Sequence, residues 1–429
     1  MGQTSVASLA GELGSSTALS LSSEQASSSI PRSKNKNPRI VPPNQRALSI
    51  VQIGLVCFRE TAPRRLSYKR EVTSLEPTLR PQETKDHRSV AAVRRAWYVA
   101  AESRELRDKP LAVTLLGQPL VLFRDGGRQA SALLDRCAHR NVPLSLGEVT
   151  SGQLQCGYHG WRYDGSGICR HIPGLCGESE GAARRVPSFP CKEAQGYVWV
   201  WMDPDAEPDV EPWSLPELGS GYTRVRKTVT FPGSVHATLE NALDVPHTAF
   251  LHKGYFRGSG ASHELDVVVR RYGDRVEAQY IGEPRPSGLA GMILAPGGGV
   301  VEHYDRFFLP SVGQVEYRLG ERSHFLVTSI CTPVTDFETR VYAEVAFRLP
   351  FPGWLVRPFI QPLALRIFEQ DRVMLQAQTE HIERFGGEQF VSTEIDVLGG
   401  AIWRLLRAAE RGEVQESDEP EERRLKLRT

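Results

Sequence analysis

Between Cys137 and His159 the chain carries two Cys–His pairs: Cys137-Ala-His139, then sixteen residues, then Cys156-Gly-Tyr-His159. Thiolate and imidazole both ligate zinc and iron. Four such side chains could hold one zinc ion, which is the plainer reading, or could be unrelated core residues. Zinc sites usually group like ligands, a Cys pair on one loop and a His pair on another. Here each loop offers one sulfur and one nitrogen. That suits a two-iron cluster in which one iron takes both Cys and the other both His. Gly157 and Gly160 let backbone amides approach sulfide closely. Pro143 stiffens the first loop, and Trp161 and Tyr163 can shield the cluster.

This stretch resembles the Rieske domain of ring-hydroxylating oxygenases through Cys137-Ala-His139-Arg140 and Cys156-Gly-Tyr-His159-Gly160-Trp161. The resemblance implies a 2Fe-2S cluster held by Cys137, His139, Cys156 and His159. Rieske proteins of the respiratory type carry an extra Cys in each loop and a Ser that donates to a sulfide. Val142, Tyr158 and Trp161 stand at those places here. Fewer hydrogen bonds lower a cluster's potential, so a low-potential electron donor is expected.

Downstream the chain reads Asn241-Ala-Leu-Asp244-Val-Pro246-His247-Thr-Ala-Phe-Leu-His252. Two His five apart sit about 140° from one another on an ideal helix. One metal can take both only if the helix is distorted. Pro246 supplies the means, since it removes a donor and clashes with the preceding turn. Taken alone, two such His are ordinary surface or core residues. Following the cluster motif, the pattern resembles the mononuclear iron site of Rieske non-haem iron oxygenases, over about residues 93–411. The resemblance implies Fe(II) bound by His247, His252 and a later carboxylate. Asp371 in Phe368-Glu369-Gln370-Asp371-Arg372 is the best fit, with Glu369 as rival, about 200° away on the same helix. It further implies that Asp244 hydrogen-bonds His247 and the His159 of a neighbouring subunit in a homotrimer. Asn241, one turn before Asp244, is a weaker candidate for the iron pocket. A helix cap is the alternative reading of Asp244.

The 429 residues allow two or three domains. Residues 1–90 are Ser-rich and then basic, without sustained periodicity, and read as a disordered extension, either an organellar targeting peptide or an upstream extension with no function or a linker role, the latter favoured. Residues 91–205 read as a small Rieske β-sandwich of short strands and Gly turns. A Pro- and acid-rich linker near Asp203–Pro212 begins a catalytic domain, 206–412, of α+β class. Its expected strands are Val225–Phe231, Leu265–Tyr272, Arg275–Ile281, Phe325–Thr332 and Thr339–Leu349, with helices over Ser234–Lys253 and Pro362–Phe385. The family implies a helix-grip (START-like) arrangement, an antiparallel sheet with a long C-terminal helix. Residues 413–429 read as a solvated charged tail.

With 52 basic against 51 acidic residues, nothing points to nucleic acid or an anionic membrane. No apolar run reaches the length of a membrane span; Ala47–Phe58 is short, and Trp354–Phe368 reads as a core helix, with contact to a membrane surface as the alternative. Seven Cys make no disulfide framework, which suits a reducing intracellular compartment. No dinucleotide fingerprint follows a strand, and Gly297-Gly298-Gly299 reads as a turn. NAD(P)H must therefore bind a separate reductase, with or without a ferredoxin. The resemblance implies a terminal oxygenase acting with O2 on an apolar organic substrate. Ala96-Trp97-Tyr98-Val99-Ala100 and His171-Ile172-Pro173-Gly174 look most like the vanillate-demethylase and pheophorbide-oxygenase types, which favours monooxygenation or demethylation. Phe250, Leu251, Phe307 and Phe308 are candidate pocket residues. An electron-transfer protein with a non-catalytic second domain, or a zinc-dependent structural protein, are the alternatives.

Overall fold

The structure is a computed structural model describing residues 89–253, 264–284, 301–320, 322–414, 417 and 419–428. The Ser-rich start, Ala47–Phe58, Cys57 and Gly297–Gly299 lie outside the described residues.

The first half is built of short antiparallel strands in three sheets. Strands β1 (Trp97–Glu102), β11 (Tyr197–Trp201) and β10 (Cys191–Ala194) form one sheet. Strands β2 (Leu111–Leu115), β3 (Gln118–Arg124), β4 (Ala130–Leu134) and β9 (Ser188–Phe189) form the second. Strands β5 (Glu148–Thr150), β6 (Gln153–Gln155), β7 (Arg162–Tyr163) and β8 (Cys169–His171) form the third. The cluster loops leave β4 and β6, over a small core of Val121, Phe123, Leu133, Leu144 and Leu154.

The second half is one antiparallel sheet of eight strands. These are β12 (Thr223–Phe231), β13 (Glu264–Arg271), β14 (Arg275–Ile281), β15 (Val301–Phe308), β16 (Val312–Leu319), β17 (Ser323–Thr335), β18 (Glu338–Arg348) and β19 (Glu421–Arg428). Their spatial order is β12-β18-β17-β16-β15-β14-β13-β19. Three helices lie against this sheet: α1 (Val235–Leu243), α2 (Arg357–Phe385) and α3 (Gly399–Glu410). Gly313 on β16 faces Leu239 and Leu243 of α1, which marks the helix side of the sheet. Burying each of those leucines contributes about 1.5–3 kcal/mol. The opposite face meets the first half. There Trp97, Tyr197, Trp199, Val312, Ile330 and Tyr342 share a core. The Thr332 hydroxyl donates to the Val99 carbonyl (2.8 Å), and that of Tyr342 to Ala100 (3.1 Å).

Several expectations need correction. The tail is not simply solvated: Glu421–Arg428 pairs antiparallel with β13 along eight residues, and Leu427 is buried. Two central strands, β15 and β16, were not expected. The helix over Ser234–Lys253 ends at Leu243. Asp244 is extended, and a 3₁₀ turn follows over Pro246–Ala249. Trp354–Phe368 is helical over most of its length but lies largely at the surface, with Phe359 74% exposed. Among the described residues no helix is long and apolar enough to cross a membrane.

Candidate metal centres

The first loop places Cys137 and the second Cys156 at near-zero exposure. Between the loops the His139 and His159 rings lie 4.4 Å apart, and Trp161 stacks on His139 at 4.8 Å, nearly parallel. The loops keep their shape through backbone hydrogen bonds from Cys137 to Val142 (2.9 Å) and from Cys156 to Trp161 (2.8 Å). Burial and the neighbouring Cys137 raise the Cys156 thiol above its ordinary pKa, although nearby backbone amides oppose this. Burial, His159 and Arg140 lower that of His139. The Tyr163 hydroxyl lies 3.3 Å from Cys137 Sγ, and burial keeps its proton in place. With Cys137 as a cluster-bound thiolate, this hydroxyl would be the donor. The buried His139 Nδ1 has no hydrogen-bond partner among the described residues. A buried, unsatisfied imidazole nitrogen beside two buried thiols fits an iron-sulfur cluster.

The second centre forms where α1 stops. Ser234 caps the helix by accepting from the Ala237 amide (3.1 Å). At its other end Asp244 turns out of the helix and accepts from both the backbone amide and Nδ1 of His247 (3.1 and 3.2 Å). The 3₁₀ turn at Pro246 then rotates the chain so that His247 and His252 meet, Nε2 to Nε2, at 3.2 Å. Asp371, in the middle of α2, closes the group, its Oδ1 3.7 Å from His247 Nε2 and 3.1 Å from His252 Nε2. His247, His252 and Asp371 are a set that could hold a metal ion, with ligand atoms within 4.8 Å of one another. Asn241 donates to Asp371 Oδ1 across a long 3.4 Å. The rival carboxylate, Glu369, faces outward and pairs with Arg372.

The sequence reading did not find Gln370. Its Oε1 accepts from His252 Nδ1 at 2.9 Å. The signal was its place beside Asp371, where a helix can aim one side chain at the metal and the next at a ligand's far nitrogen. Burial lowers the His252 pKa, but hydrogen bonds to Asp371 and Gln370 outweigh it, and the net shift is upward. Of the candidate pocket residues, Phe250 is exposed, Phe307 is fully buried in the core, and Phe308 packs on Trp213 away from the helix side. A phenylalanine two residues before His252 can be directed outward because the 3₁₀ turn changes the helical phase.

Residues 96–190 match the Rieske [2Fe-2S] domain, and residues 233–412 the vanillate O-demethylase oxygenase C-terminal domain. The oxygenase component of chloroacetanilide N-alkylformylase from Rhizorhabdus wittichii is 31% identical, over 71% of this chain and 90% of that protein. The chain belongs to the Rieske non-haem iron oxygenases. Several other relatives are matched over about half their own length. The oxygenase component of dicamba O-demethylase from Stenotrophomonas maltophilia is 39% identical over 41% of this chain and 53% of that protein. Protein TIC 55 of Pisum sativum chloroplasts is 29% identical over 70% of this chain and 54% of that protein. A crystal structure of dicamba monooxygenase with 3,6-dichlorosalicylic acid superposes with a TM-score of 0.63 at 25% identity. It covers 75% of this chain and 99% of that one. The Rieske β-sandwich followed by a large antiparallel sheet with C-terminal helices is the architecture these oxygenases share, and their cofactors are a 2Fe-2S cluster and non-haem iron.

Proposed function

We propose that this chain is the terminal oxygenase of a multicomponent system, using O2 and electrons from an NAD(P)H-dependent reductase, with or without a ferredoxin, to monooxygenate or demethylate an apolar organic substrate. The observation that carries this reading is the convergence of His247, His252 and Asp371 downstream of the cluster loops. A cluster supplies single electrons, and ferrous iron supplies a place for O2 beside substrate.

Cys137, His139, Cys156 and His159 hold the cluster, in the module ending near residue 205. His247, His252 and Asp371 hold the iron. Asp244 keeps the His247 proton on Nδ1 and so turns Nε2 toward the iron; Gln370 does the same for His252. Asn241 restrains the Asp371 carboxylate. His252 and Asp371 are nearly closed to solvent at 2% and 7% exposure, which limits water at the metal. Asp244 keeps part of its side chain exposed, as a bridge to His159 of a neighbouring subunit in a homotrimer requires.

Metal analysis of the anaerobic, dithionite-reduced protein tests this reading. About three iron per chain with a Rieske-type EPR signal is the expected result. Two iron with the same signal, unchanged by added Fe(II), would leave an electron carrier in place of an oxygenase. In Asp244→Asn the cluster signal should remain while single-turnover oxidation of the cluster by O2 and substrate fails. Normal turnover in that variant would remove the proposed electron route.

A further inference from the structure

The two halves of α2 have different surroundings. The second half is seated on the fold, with Asp371, Leu375, Thr379 and Ile382 buried. At the junction Phe368 packs edge-on against Phe231 of β12. The first half carries apolar side chains that the fold does not cover. On an ideal helix Phe359 and Leu363 stand about 180° and 140° from Phe368, so they point away from the strand that Phe368 meets. Both are exposed, and so is Trp354, just before the helix, at 69%. Leu355, exposed as well, lies four residues before Phe359, as Phe359 does before Leu363. Residues at that spacing share a face. Trp354 and Phe359 alone leave about 200–350 Å² of aromatic surface in water. A contiguous apolar patch of this size marks a docking surface.

Charge narrows what can dock there. The whole chain is nearly neutral, but this stretch is not. Between Glu344 and Glu369 there is no Asp or Glu, whereas Arg348, Arg357 and Arg366 all fall within it. Arg366 lies about 20° from Phe359 around the helix, so one face carries both. Among the described residues Arg357 and Arg366 form no ion pair. An arginine beside an apolar stripe lays its aliphatic stem along the stripe and extends its guanidinium toward anions. The occupant must therefore offer apolar depth and anionic oxygens over the same small area. A protein partner would need carboxylates at fixed places among apolar groups. The surface of an anionic bilayer presents phosphate oxygens above acyl chains wherever it is touched. Lying on that surface is the mode that fits, since among the described residues no helix is long and apolar enough to cross a membrane.

We propose that Trp354 and the first half of α2 dock this protein on the surface of an anionic lipid bilayer. Trp354, Phe359 and Leu363 enter below the headgroups, and Arg357 and Arg366 meet lipid phosphates. Asp371 follows Phe359 by about 18 Å along the same helix, so docking holds His247, His252 and Asp371 near the lipid. Access of an apolar substrate dissolved in the bilayer is a consequence that rests on the oxygenase reading above; the docking itself does not.

Flotation of the purified full chain with lipid vesicles tests this. Vesicles of phosphatidylcholine mixed with phosphatidylglycerol are expected to carry the protein upward at low salt. Phosphatidylcholine alone should bind it about twentyfold more weakly, from about fivefold for each of the two arginines. Trp354→Ser combined with Phe359→Ser is expected to weaken binding by about tenfold or more. Arg357→Gln combined with Arg366→Gln, the second route should the first pair not fold, is expected to remove the preference for charged vesicles. The cluster's visible spectrum reports folding of each variant. No flotation with either vesicle, or flotation unchanged in the folded variants, would overturn the proposal. So would a smaller native mass in the Trp354, Phe359 variant, which would show a second copy of the chain on this face. Binding is read without turnover. A protein that docks yet never consumes O2 would keep this inference and remove the oxygenase reading.

Discussion

Gln370→Leu isolates one hydrogen bond behind the proposed iron site. In the native protein Gln370 Oε1 accepts from His252 Nδ1 at 2.9 Å, and His252 is 2% exposed. Leucine fills similar space but accepts nothing. Without metal, His252 can move its proton to Nε2 and donate to Asp371, 3.1 Å away. With metal, Nε2 would be engaged, and Nδ1 must carry a proton that then loses its Gln370 acceptor. The cost therefore falls mainly on the metal-loaded state. An unsatisfied buried donor costs about 1–3 kcal/mol, which is roughly fivefold to 150-fold in affinity. Loss of such partners behind metal ligands commonly costs about 10–100-fold. Anaerobic competition for Fe(II) against a chromophoric chelator measures this, with the cluster's EPR signal as the control for folding. Gln370→Glu, which keeps an acceptor and adds charge, should hold iron at least as tightly as the native protein. Unchanged iron affinity in Gln370→Leu with the cluster intact would refute the reasoning.

Tyr163→Phe removes the donor to Cys137 Sγ. One hydrogen bond of about 1 kcal/mol corresponds to about 40 mV for one electron, so the cluster potential measured by redox titration should fall by that order. Gly167→Ala would set a Cβ 1.9 Å from the Val186 carbonyl oxygen, at a backbone φ of +73°. The turn joining β7 to β8 cannot accept it, and the variant should be purified with little or no cluster absorbance. Burial lowers the pKa of His303, but Asp305 and Glu283 outweigh it and hold it at about 9, above its ordinary 6.5. Its stabilising share is thus fully present below about pH 6.5 and is lost as pH rises through about 9. In urea melts the stability difference between the native protein and His303→Gln should shrink from pH 6 to pH 9.5. Glu316 is shifted the other way, to about 2, by His324, Arg306 and Arg318 against its burial. Its contribution should be complete above about pH 4.5 and disappear as pH falls through about 2.

The elements that sequence could reveal are those in which residue type and spacing speak locally. Cys137, His139, Cys156 and His159 lie on two short loops whose ligand types already name a cluster. Asp244, Pro246, His247 and His252 lie within nine residues, and Pro246 announced that the helix would break there. Strands with inward valine and alanine, such as β14 and β18, could be read from alternation. Strand β15 could not. Its helix-side residues are Val301, His303, Asp305 and Phe307, its outward ones Glu302, Tyr304, Arg306 and Phe308, so charge occupies both faces and the two-residue period vanishes. Strand β19 has only Leu425 and Leu427 as apolar residues. It is held by main-chain pairing to β13 and by ion pairs such as Lys426–Glu264 at 2.6 Å, neither of which leaves a local pattern. Gln370 is one polar residue among many on a surface helix until α2 is laid against α1. The sequence by itself determined which residues can bind metal. The tertiary structure decided which nitrogen His252 presents and which carboxylate stands beside His247 and His252. Those depend on partners more than one hundred residues apart, such as His252 with Gln370, and no local periodicity encodes a contact of that span.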